Sequence, residues 1–211
     1  MNKLHGLYVI TDPILCGGQL IEKVEQAILG GAQIIQYRNK LADAQTQYAE
    51  AAALQSLCKQ HQRIFLINDN VSLALNVNAD GVHLGQTDGD ITAARKKLGN
   101  NKIIGVTCHS DIHAAKTAQQ QSASYVAFGR FYPSKTKPDA PPAKIDVLQQ
   151  AQQQLEIPTV AIGGISVENA SNLINAGADM LAVIHAVFAQ VNIKQAAADL
   201  AQYYKTNPLK V

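Results

Sequence analysis

The chain has 211 residues, of which 47% are hydrophobic and 16% charged, a composition typical of a globular protein rather than a disordered one. The formal net charge of +2 comes without a basic run, and tryptophan is absent, so nothing indicates a nucleic-acid partner. No segment of about 20 apolar residues is present, and the three cysteines lack a metal-binding spacing. We expect one catalytic domain spanning residues 1–211, cytoplasmic and without a membrane partner.

Short apolar runs alternate with helix-forming stretches along the whole chain. Such runs are typical of parallel strands buried on both faces, here predicted at residues 6–10, 34–37, 64–67, 81–83, 103–106, 125–128, 159–162 and 180–183. Between them lie stretches rich in Ala, Gln, Leu and Lys, which favour outer helices. Gly31 and Gly177 stand where helices should end. About eight βα units favour an α/β fold, a single (β/α)8 TIM barrel, over an open sheet.

Two basic residues follow the second predicted strand, in the segment Gln36-Tyr37-Arg38-Asn39-Lys40. Their spacing lets Arg38 and Lys40 project together over the mouth of the barrel, where catalytic groups of this fold lie. A guanidinium fork beside an ammonium group suits a di- or triphosphate. The alternative is that both are solvated loop cations.

Oxygen ligands follow the third and fourth predicted strands, where Asn68, Asp69 and Asp88 stand. Mg²⁺ prefers a few carboxylates completed by phosphate oxygens and water. As an alternative, Asp69 caps the helix that begins near Val71, and Asp88 or Asp90 caps the next helix. Their joint position beside the two basic residues favours the metal site.

The segment after the sixth predicted strand contains Ser134-Lys135-Thr136-Lys137, followed by several prolines. Its hydroxyl and amino groups favour an anion-binding loop over a merely stiff connection, and loops over a barrel mouth often act as lids. Gly163-Gly164 and Ile184-His185 follow the last two strands, the usual phosphate-binding place of a barrel. The alternative there is a tight turn without a ligand, whereas a second phosphate site would imply two phosphorylated substrates.

Two histidines lie near strand ends without a zinc-type spacing. We expect His83 to be a packed or hydrogen-bonded residue of the barrel interior. His109 could face the mouth and handle a proton.

Together these segments resemble the thiamine-phosphate synthase family over residues 7–188. The resemblance rests on several short motifs in a fixed order: Leu7-Tyr8-Val9-Ile10-Thr11-Asp12, Gln36-Tyr37-Arg38-Asn39-Lys40, Ile67-Asn68-Asp69, Gly81-Val82-His83-Leu84-Gly85-Gln86-Thr87-Asp88, Gly105-Val106-Thr107, Pro133-Ser134-Lys135-Thr136-Lys137 and Val160-Ala161-Ile162-Gly163-Gly164-Ile165. It implies a (β/α)8 barrel that joins a hydroxymethylpyrimidine diphosphate to a thiazole phosphate and releases pyrophosphate. It also implies phosphorylated small-molecule substrates and leaves a homo-oligomer open.

The resemblance also implies roles for particular residues. The pyrimidine diphosphate would contact Gln36, Tyr37, Arg38, Asn39, Lys40, Asn68, Thr107 and Lys137. Of these, Arg38, Lys40 and Lys137 would neutralise the leaving diphosphate, and Asp69 and Asp88 would bind Mg²⁺ on it. The thiazole phosphate would contact Ser134, Lys135, Thr136, Gly164, Ile184 and His185. The electron-rich aminopyrimidine can stabilise a cation, so this chemistry needs no protein nucleophile.

Some positions depart from the pattern of the family. Thr107 replaces the usual Ser and Ser134 the usual Thr, and both keep a hydroxyl. His185 stands where a Ser usually contacts the thiazole phosphate, Met180 stands where Gly is common, and Arg130 is bulkier than expected.

Three other functions are weighed against the synthase. A thiazole tautomerase would use His109 and no metal pair, but Asp88 and the 134–137 segment argue against it. A Schiff-base aldolase would use Lys137. A non-catalytic barrel that binds thiazole or pyrimidine phosphates would have His185 as a sign of lost activity.

Overall fold

In the computed structural model, which describes residues 4–85, 89–134, 136 and 141–205, a closed parallel barrel forms the centre of the molecule. Its strands follow chain order, and β8 pairs with β1: β1 (Gly6–Ile10), β2 (Ile34–Tyr37), β3 (Ile64–Asn68), β4 (Gly81–Leu84), β5 (Ile103–His109), β6 (Tyr125–Phe128), β7 (Thr159–Ile162) and β8 (Met180–Val183). Every predicted strand and the barrel itself are therefore confirmed.

Three strands extend beyond the predicted apolar runs. β3 includes Asn68, β4 includes Leu84, and β5 continues to His109 with a register shift between Thr107 and His109. Strand pairing depends on backbone hydrogen bonds, so the ladder continues in β3 and β5 through polar side chains after the apolar pattern has ended.

Helices surround the barrel: α1 (Pro13–Cys16), α2 (Leu20–Leu29), α3 (Ala44–Gln60), α4 (Val71–Asn76), α5 (Ile91–Leu98), α6 (Ile112–Gln120), α7 (Asp146–Gln154), α8 (Val167–Asn175), α9 (His185–Phe188) and α10 (Ile193–Lys205). Helix α2 ends before Gly31 and α8 before Gly177, both at positive φ (112° and 114°), as predicted. Within the described part of the chain, no helix combines the length and apolar character that a bilayer crossing requires.

The alternating side chains of the strands form two separate apolar clusters. The larger cluster fills the layer between strands and helices, and it includes Cys16, Cys58 and Cys108. Burial raises the pKa of the Cys58 and Cys108 thiols to about 12, so neither is a reactive thiolate. The smaller cluster lies inside the barrel, and its largest members are Tyr8 and Tyr125. This interior is packed at the bottom and opens at the carboxyl ends of the strands.

Candidate active site

A cavity of about 560 Å³ opens at the carboxyl ends of the barrel strands. Side chains from most strands and the loops after them line it, as expected where (β/α)8 barrels place their chemistry. The lining includes these residues from the sequence prediction: Gln36, Arg38, Lys40, Asn68, Asp69, Thr107, Ser134, Thr136, Gly164, Ile184 and His185. The structure thus brings together residues that lie far apart in the sequence.

One side of the mouth, which we call the β2–β3 rim, consists of Arg38, Lys40, Asn68 and Asp69. The Nζ of Lys40 lies 2.8 Å from Oδ2 of Asp69. The same oxygen accepts a hydrogen bond from Nδ2 of Asn68 at 2.6 Å. The Lys40 side chain is 56% exposed and that of Asp69 is 22% exposed, so the pair can be reached by a ligand. Charges of both signs therefore meet at this rim.

The backbone of Asp69 adopts a left-handed conformation, with φ at 60°. Non-glycine residues seldom do so, and such positions cluster at functional sites. The cap of α4 is the following residue, Asn70, whose Oδ1 accepts from the amide of Leu73 at 2.9 Å. Asp90 likewise caps α5. The alternative of Asp69 as a helix cap is therefore wrong, and its carboxylate is turned to the cavity.

Tyr37 and Asn39 lie outside the cavity lining of the described residues, although the resemblance placed both on the pyrimidine diphosphate. Oε2 of Glu50 on α3 accepts hydrogen bonds from the Tyr37 hydroxyl at 2.6 Å and from Asn39 Nδ2 at 2.9 Å. Successive strand residues point to opposite faces, so Gln36 and Arg38 face the cavity while Tyr37 and Asn39 face the helix. Direct contact of these two with substrate stays a prediction without geometric support.

The loop that carries Arg38 is also held by the residue that follows the neighbouring strand β1. The backbone amide of Arg38 donates to Oγ1 of Thr11 at 2.8 Å, and this hydroxyl donates back to the Arg38 carbonyl at 3.3 Å. Thr11 is buried and directly follows β1. Together with Glu50 on α3, Thr11 anchors the basic segment from two elements of the fold.

Five polar side chains form a hydrogen-bonded row across the inside of the barrel, which we call the interior chain. Nε2 of Gln36 donates to the Tyr8 hydroxyl, which lies 2.9 Å from the Tyr125 hydroxyl. That hydroxyl contacts Nδ1 of His83 at 2.9 Å, and Nε2 of His83 lies 2.9 Å from Oγ1 of Thr107. His83 is therefore a hydrogen-bonded interior residue, as predicted. Burial raises the pKa of both tyrosines, so both hydroxyls keep their protons.

The opposite side of the mouth, the β7–β8 rim, consists of Gly163, Gly164, Ile184 and His185. Gly164 adopts φ of 63°, and a Cβ there would lie 2.4 Å from the Pro133 carbonyl oxygen. Backbone bonds join this turn to the loop after β6, including Tyr132 N to the Gly163 carbonyl at 3.1 Å. The glycines therefore allow two loops to pack closely.

The nine-residue helix α8 begins directly behind the glycine turn. Its capping box joins Ser166 and Asn169, and Asn169 Nδ2 also donates to the Gly164 carbonyl at 3.1 Å. Ser166 lines the cavity. Backbone N–H groups at such a helix start favour an anion.

Three predicted site residues, Asp88, Lys135 and Lys137, lie outside the described residues. Among the residues that are described, no three His, Cys, Asp or Glu side chains group closely enough to hold a metal ion. The second carboxylate of the predicted magnesium pair is one of the three, so the pair itself stays a prediction.

Several residues of the site were not predicted from the sequence. Tyr8 and Tyr125 have no predicted role beyond their strands, although each places a hydroxyl in an otherwise apolar run, and such hydroxyls indicate a polar interior. Ser166 and Gln190 line the cavity as well, and Arg130 and His109, noted in the sequence, do too. His109 adopts φ of 51°, a second left-handed position at the mouth.

A cavity at this end of a closed parallel barrel, with opposite charges facing a glycine turn, defines the class as a (β/α)8-barrel enzyme acting on small molecules. The model of the thiamine monophosphate synthase family matches residues 7–187. A thiamine-phosphate synthase of Alcanivorax borkumensis is 50% identical over 98% of this chain and 97% of its own length. The chain belongs to the thiamine monophosphate synthase family, and it is a transferase of thiamine biosynthesis.

Solved structures agree with this assignment. The thiamine phosphate pyrophosphorylase of Pyrococcus furiosus superposes with a TM-score of 0.88 at 34% identity, covering 95% of this chain and 96% of its own. The orotidine 5'-phosphate decarboxylase of Pyrococcus horikoshii has a TM-score of 0.67 at 13% identity, covering 93% of this chain and 99% of its own, and shares the fold alone.

Proposed function

We propose that this cavity joins a hydroxymethylpyrimidine diphosphate to a thiazole phosphate, giving thiamine phosphate and pyrophosphate. The proposal depends on one observation: two rims of different chemistry face each other across one cavity. The β2–β3 rim concentrates charge, which suits a leaving diphosphate. The β7–β8 rim offers a glycine turn at a helix start, which suits a phosphate that does not react.

The diphosphate end of the substrate would contact Arg38 and Lys40. Loss of diphosphate from the pyrimidine carbon leaves a cation that the aminopyrimidine stabilises, and the thiazole nitrogen then attacks it. Arg38 and Lys40 would neutralise the growing negative charge on the leaving group. Gln36 and Thr107 at the cavity floor would hold the pyrimidine ring in line for this attack. Lys137, which lies outside the described residues, is predicted to contact the leaving group as well.

Mg²⁺ fits the chemistry of the β2–β3 rim. The Asp69 carboxylate and the Asn68 amide carry hard oxygen ligands of the kind that Mg²⁺ prefers. Mg²⁺ usually takes only a few such ligands from the protein, and phosphate oxygens and water complete its shell. Asp69, with Asp88 as its predicted partner, would hold the ion. When bound, Mg²⁺ would neutralise charge on the diphosphate.

The thiazole phosphate would lie at the opposite rim. Gly164, Ile184 and His185 line that part of the cavity together with Ser134 and Thr136. The hydroxyls can donate to phosphate oxygens, and Lys135, which lies outside the described residues, is predicted to contact the same phosphate. His185 adds a side chain that can donate a hydrogen bond or carry charge. Two phosphates at opposite rims would align the two ring systems between them.

The test is formation of thiamine phosphate from the two phosphorylated precursors, with Mg²⁺ and with excess chelator. Product that disappears with chelator supports the proposal. Asp69→Asn should abolish the Mg²⁺-dependent turnover, whereas Asp111→Asn should leave it unchanged, because that carboxylate caps α6 through the His113 and Ala114 amides. Full activity of Asp69→Asn would exclude its metal role.

One alternative has a structural observation in its favour. His109 lines the cavity with a left-handed backbone, so a proton-transferring thiazole tautomerase remains a candidate. That enzyme would isomerise a thiazole phosphate with chelator present and would lose activity in His109→Ala. Condensation without isomerisation would exclude it. The single domain of 1–211, the cytoplasmic location and a homo-oligomer stay predictions.

A further inference from the structure

The interior chain links two residues that line the cavity but come from strands separated within the barrel. Gln36 from β2 stands at one end and Thr107 from β5 at the other, with Tyr8, Tyr125 and His83 between them. Each tyrosine hydroxyl contacts one partner on either side, and His83 contacts Tyr125 through one ring nitrogen and Thr107 through the other. The five side chains therefore act as one hydrogen-bonded unit, and the orientation of each hydroxyl depends on its neighbours.

The donor end of this unit decides the direction of every bond in it. An amide nitrogen can only donate, so the Tyr8 oxygen accepts from Gln36. The hydrogen of the buried Tyr8 hydroxyl needs an acceptor too, and the Tyr125 oxygen is the partner within reach, so Tyr8 donates to Tyr125. Tyr125 then donates to Nδ1 of His83, which must be unprotonated. Neutral His83 carries its hydrogen on Nε2 and donates it to Oγ1 of Thr107. The hydroxyl hydrogen of Thr107 then points away from the interior chain.

We propose that His83, fixed as its Nε2–H tautomer by Tyr125, is a positioning residue that makes the Thr107 hydroxyl a hydrogen-bond donor to the ligand. This inference rests on the proposed function, because the ligand it explains is a pyrimidine. The ring nitrogen beside the amino group of an aminopyrimidine is an acceptor, which a fixed hydroxyl donor matches. An oxopyrimidine carries an N–H at that position, so its N–H donor would meet the donor hydroxyl of Thr107. The interior chain thus selects the aminopyrimidine.

The barrel is built to accommodate this row. A Cβ at Gly105 would lie 1.9 Å from Cζ of Tyr125 and 2.2 Å from its hydroxyl oxygen, so glycine is needed where the phenol crosses β5. The rings of His83 and Tyr125 stack at 5.7 Å with 23° between their planes. Tyr8, Gln36 and Tyr125 are all almost completely buried. Packing therefore holds these three groups in place and keeps water from replacing their hydrogen-bond partners, whereas His83 and Thr107 at the other end are half-buried.

Nitrogen-15 NMR of the histidine rings in the full ligand-free chain tests the tautomer directly. The His83 signals are assigned by their loss in His83→Gln. We expect a protonated Nε2 and a bare Nδ1 in the wild type. In Tyr125→Phe the donor to Nδ1 is removed, and the Nδ1 resonance should shift or the tautomers should mix. A protonated Nδ1 in the wild type, or an unchanged spectrum in Tyr125→Phe, would overturn the proposal.

Binding of the pyrimidine diphosphate, measured without the thiazole phosphate, tests the consequence. Tyr125→Phe and Thr107→Val should each weaken binding about fivefold, the worth of one ordinary hydrogen bond. If Tyr125 acts through the Thr107 hydroxyl, the double variant should also lose only about fivefold. Independent effects that multiply to about 25-fold would contradict the coupling. Tyr203→Phe, which removes a tyrosine bond to the Val167 carbonyl on the outside of the barrel, should change nothing.

A second pair of variants covers the case in which Tyr125→Phe does not fold. His83→Gln keeps a side-chain N–H that can donate to Thr107 and should bind the pyrimidine within about twofold of wild type. His83→Leu should lose about fivefold. Equal losses in both would overturn the proposal. Wild type that shows the expected tautomer without binding any pyrimidine diphosphate would contradict the proposed function and leave the interior chain standing.

Discussion

The two rims of the cavity differ in what they use to bind. The β2–β3 rim presents charged and amide side chains, and Asp69 contacts both Lys40 and Asn68 there. The β7–β8 rim contains no Lys, Arg, Asp or Glu, and its shape comes from two left-handed glycines packed against the loop after β6. The β2–β3 rim therefore binds through charged side chains, and the β7–β8 rim binds through the shape of its backbone.

This difference matches the fate of the two phosphates in the proposed reaction. A leaving diphosphate gains charge in the transition state, so side chains aimed at it lower the barrier. A phosphate that only anchors its substrate gains nothing from such groups, and backbone donors at a helix start suffice. Substitutions at the first rim should therefore affect kcat, and those at the second rim should affect KM for one substrate.

The largest effect is expected from Asp69→Asn. Its carboxylate lies at the charged rim in a conformation that is not required for capping α4. Replacing it by an amide should lower kcat about 100-fold or more with little change in KM for the thiazole phosphate. Steady-state kinetics at several Mg²⁺ concentrations measure this. A normal kcat at high Mg²⁺ would show that the carboxylate only assists metal binding.

The next effect is expected from Lys40→Met, which keeps the apolar stem and removes the charge. We expect kcat/KM for the pyrimidine diphosphate to fall about 30-fold, because a hydrogen bond to a charged group is worth about 1.5–3 kcal/mol. Lys59→Met at the end of α3 is the matched control and should be silent. If both variants behave alike, the charge of Lys40 does not contribute to the reaction.

Gly164→Ala tests the backbone rim. Its Cβ would meet the Pro133 carbonyl at 2.4 Å, so the loop after β6 must shift. KM for the thiazole phosphate should rise about tenfold, while KM for the pyrimidine diphosphate stays within about twofold. Gly99→Ala is the control, because Gly99 has φ of 77° with nothing within 4 Å of its Cβ, and so adds backbone strain alone. Equal kinetics in both variants would refute the packing argument.

A smaller effect is expected from Glu50→Ala, because this residue acts only through the loop it anchors. Without it Tyr37 and Asn39 lose their shared acceptor, and the segment bearing Arg38 and Lys40 becomes less ordered. KM for the pyrimidine diphosphate should rise about fivefold. Glu50→Gln keeps an acceptor oxygen and should restore most of the affinity. A parallel rise in KM for the thiazole phosphate would indicate general destabilisation instead.

The smallest effect is expected from His185→Ser at the second rim. If the imidazole hinders the thiazole phosphate, the smaller hydroxyl should lower KM for that substrate about twofold, with KM for the other substrate unchanged. Initial rates at varied thiazole phosphate measure it. A rise in KM would mean that the imidazole binds the phosphate, and that both rims then bind their phosphates through side chains.

Much of the fold and of the mouth could be predicted from local patterns. Apolar runs long enough for a strand, separated by helix-forming stretches, leave a closed parallel barrel as the arrangement that buries every run on both faces. Any residue that follows such a run must then lie at the carboxyl end of the barrel. Arg38, Asn68, Asp69 and Gly164 could be placed at one mouth for this reason alone. Strict alternation along β2 would also have placed Tyr37 on the helix side.

Other features depend on which residues meet after the barrel closes. Tyr8 and Tyr125 are separated by 117 positions in the sequence, and their contact across the interior depends on strand register and on the missing side chain of Gly105. The choice of Asn70 over Asp69 as the cap of α4 depends on one backbone angle. The sequence by itself determined the elements and the edge at which the chemistry lies, because these follow from local burial patterns. Only the tertiary structure decided hydrogen-bond partners and directions, because these depend on distances of a few ångströms between distant segments.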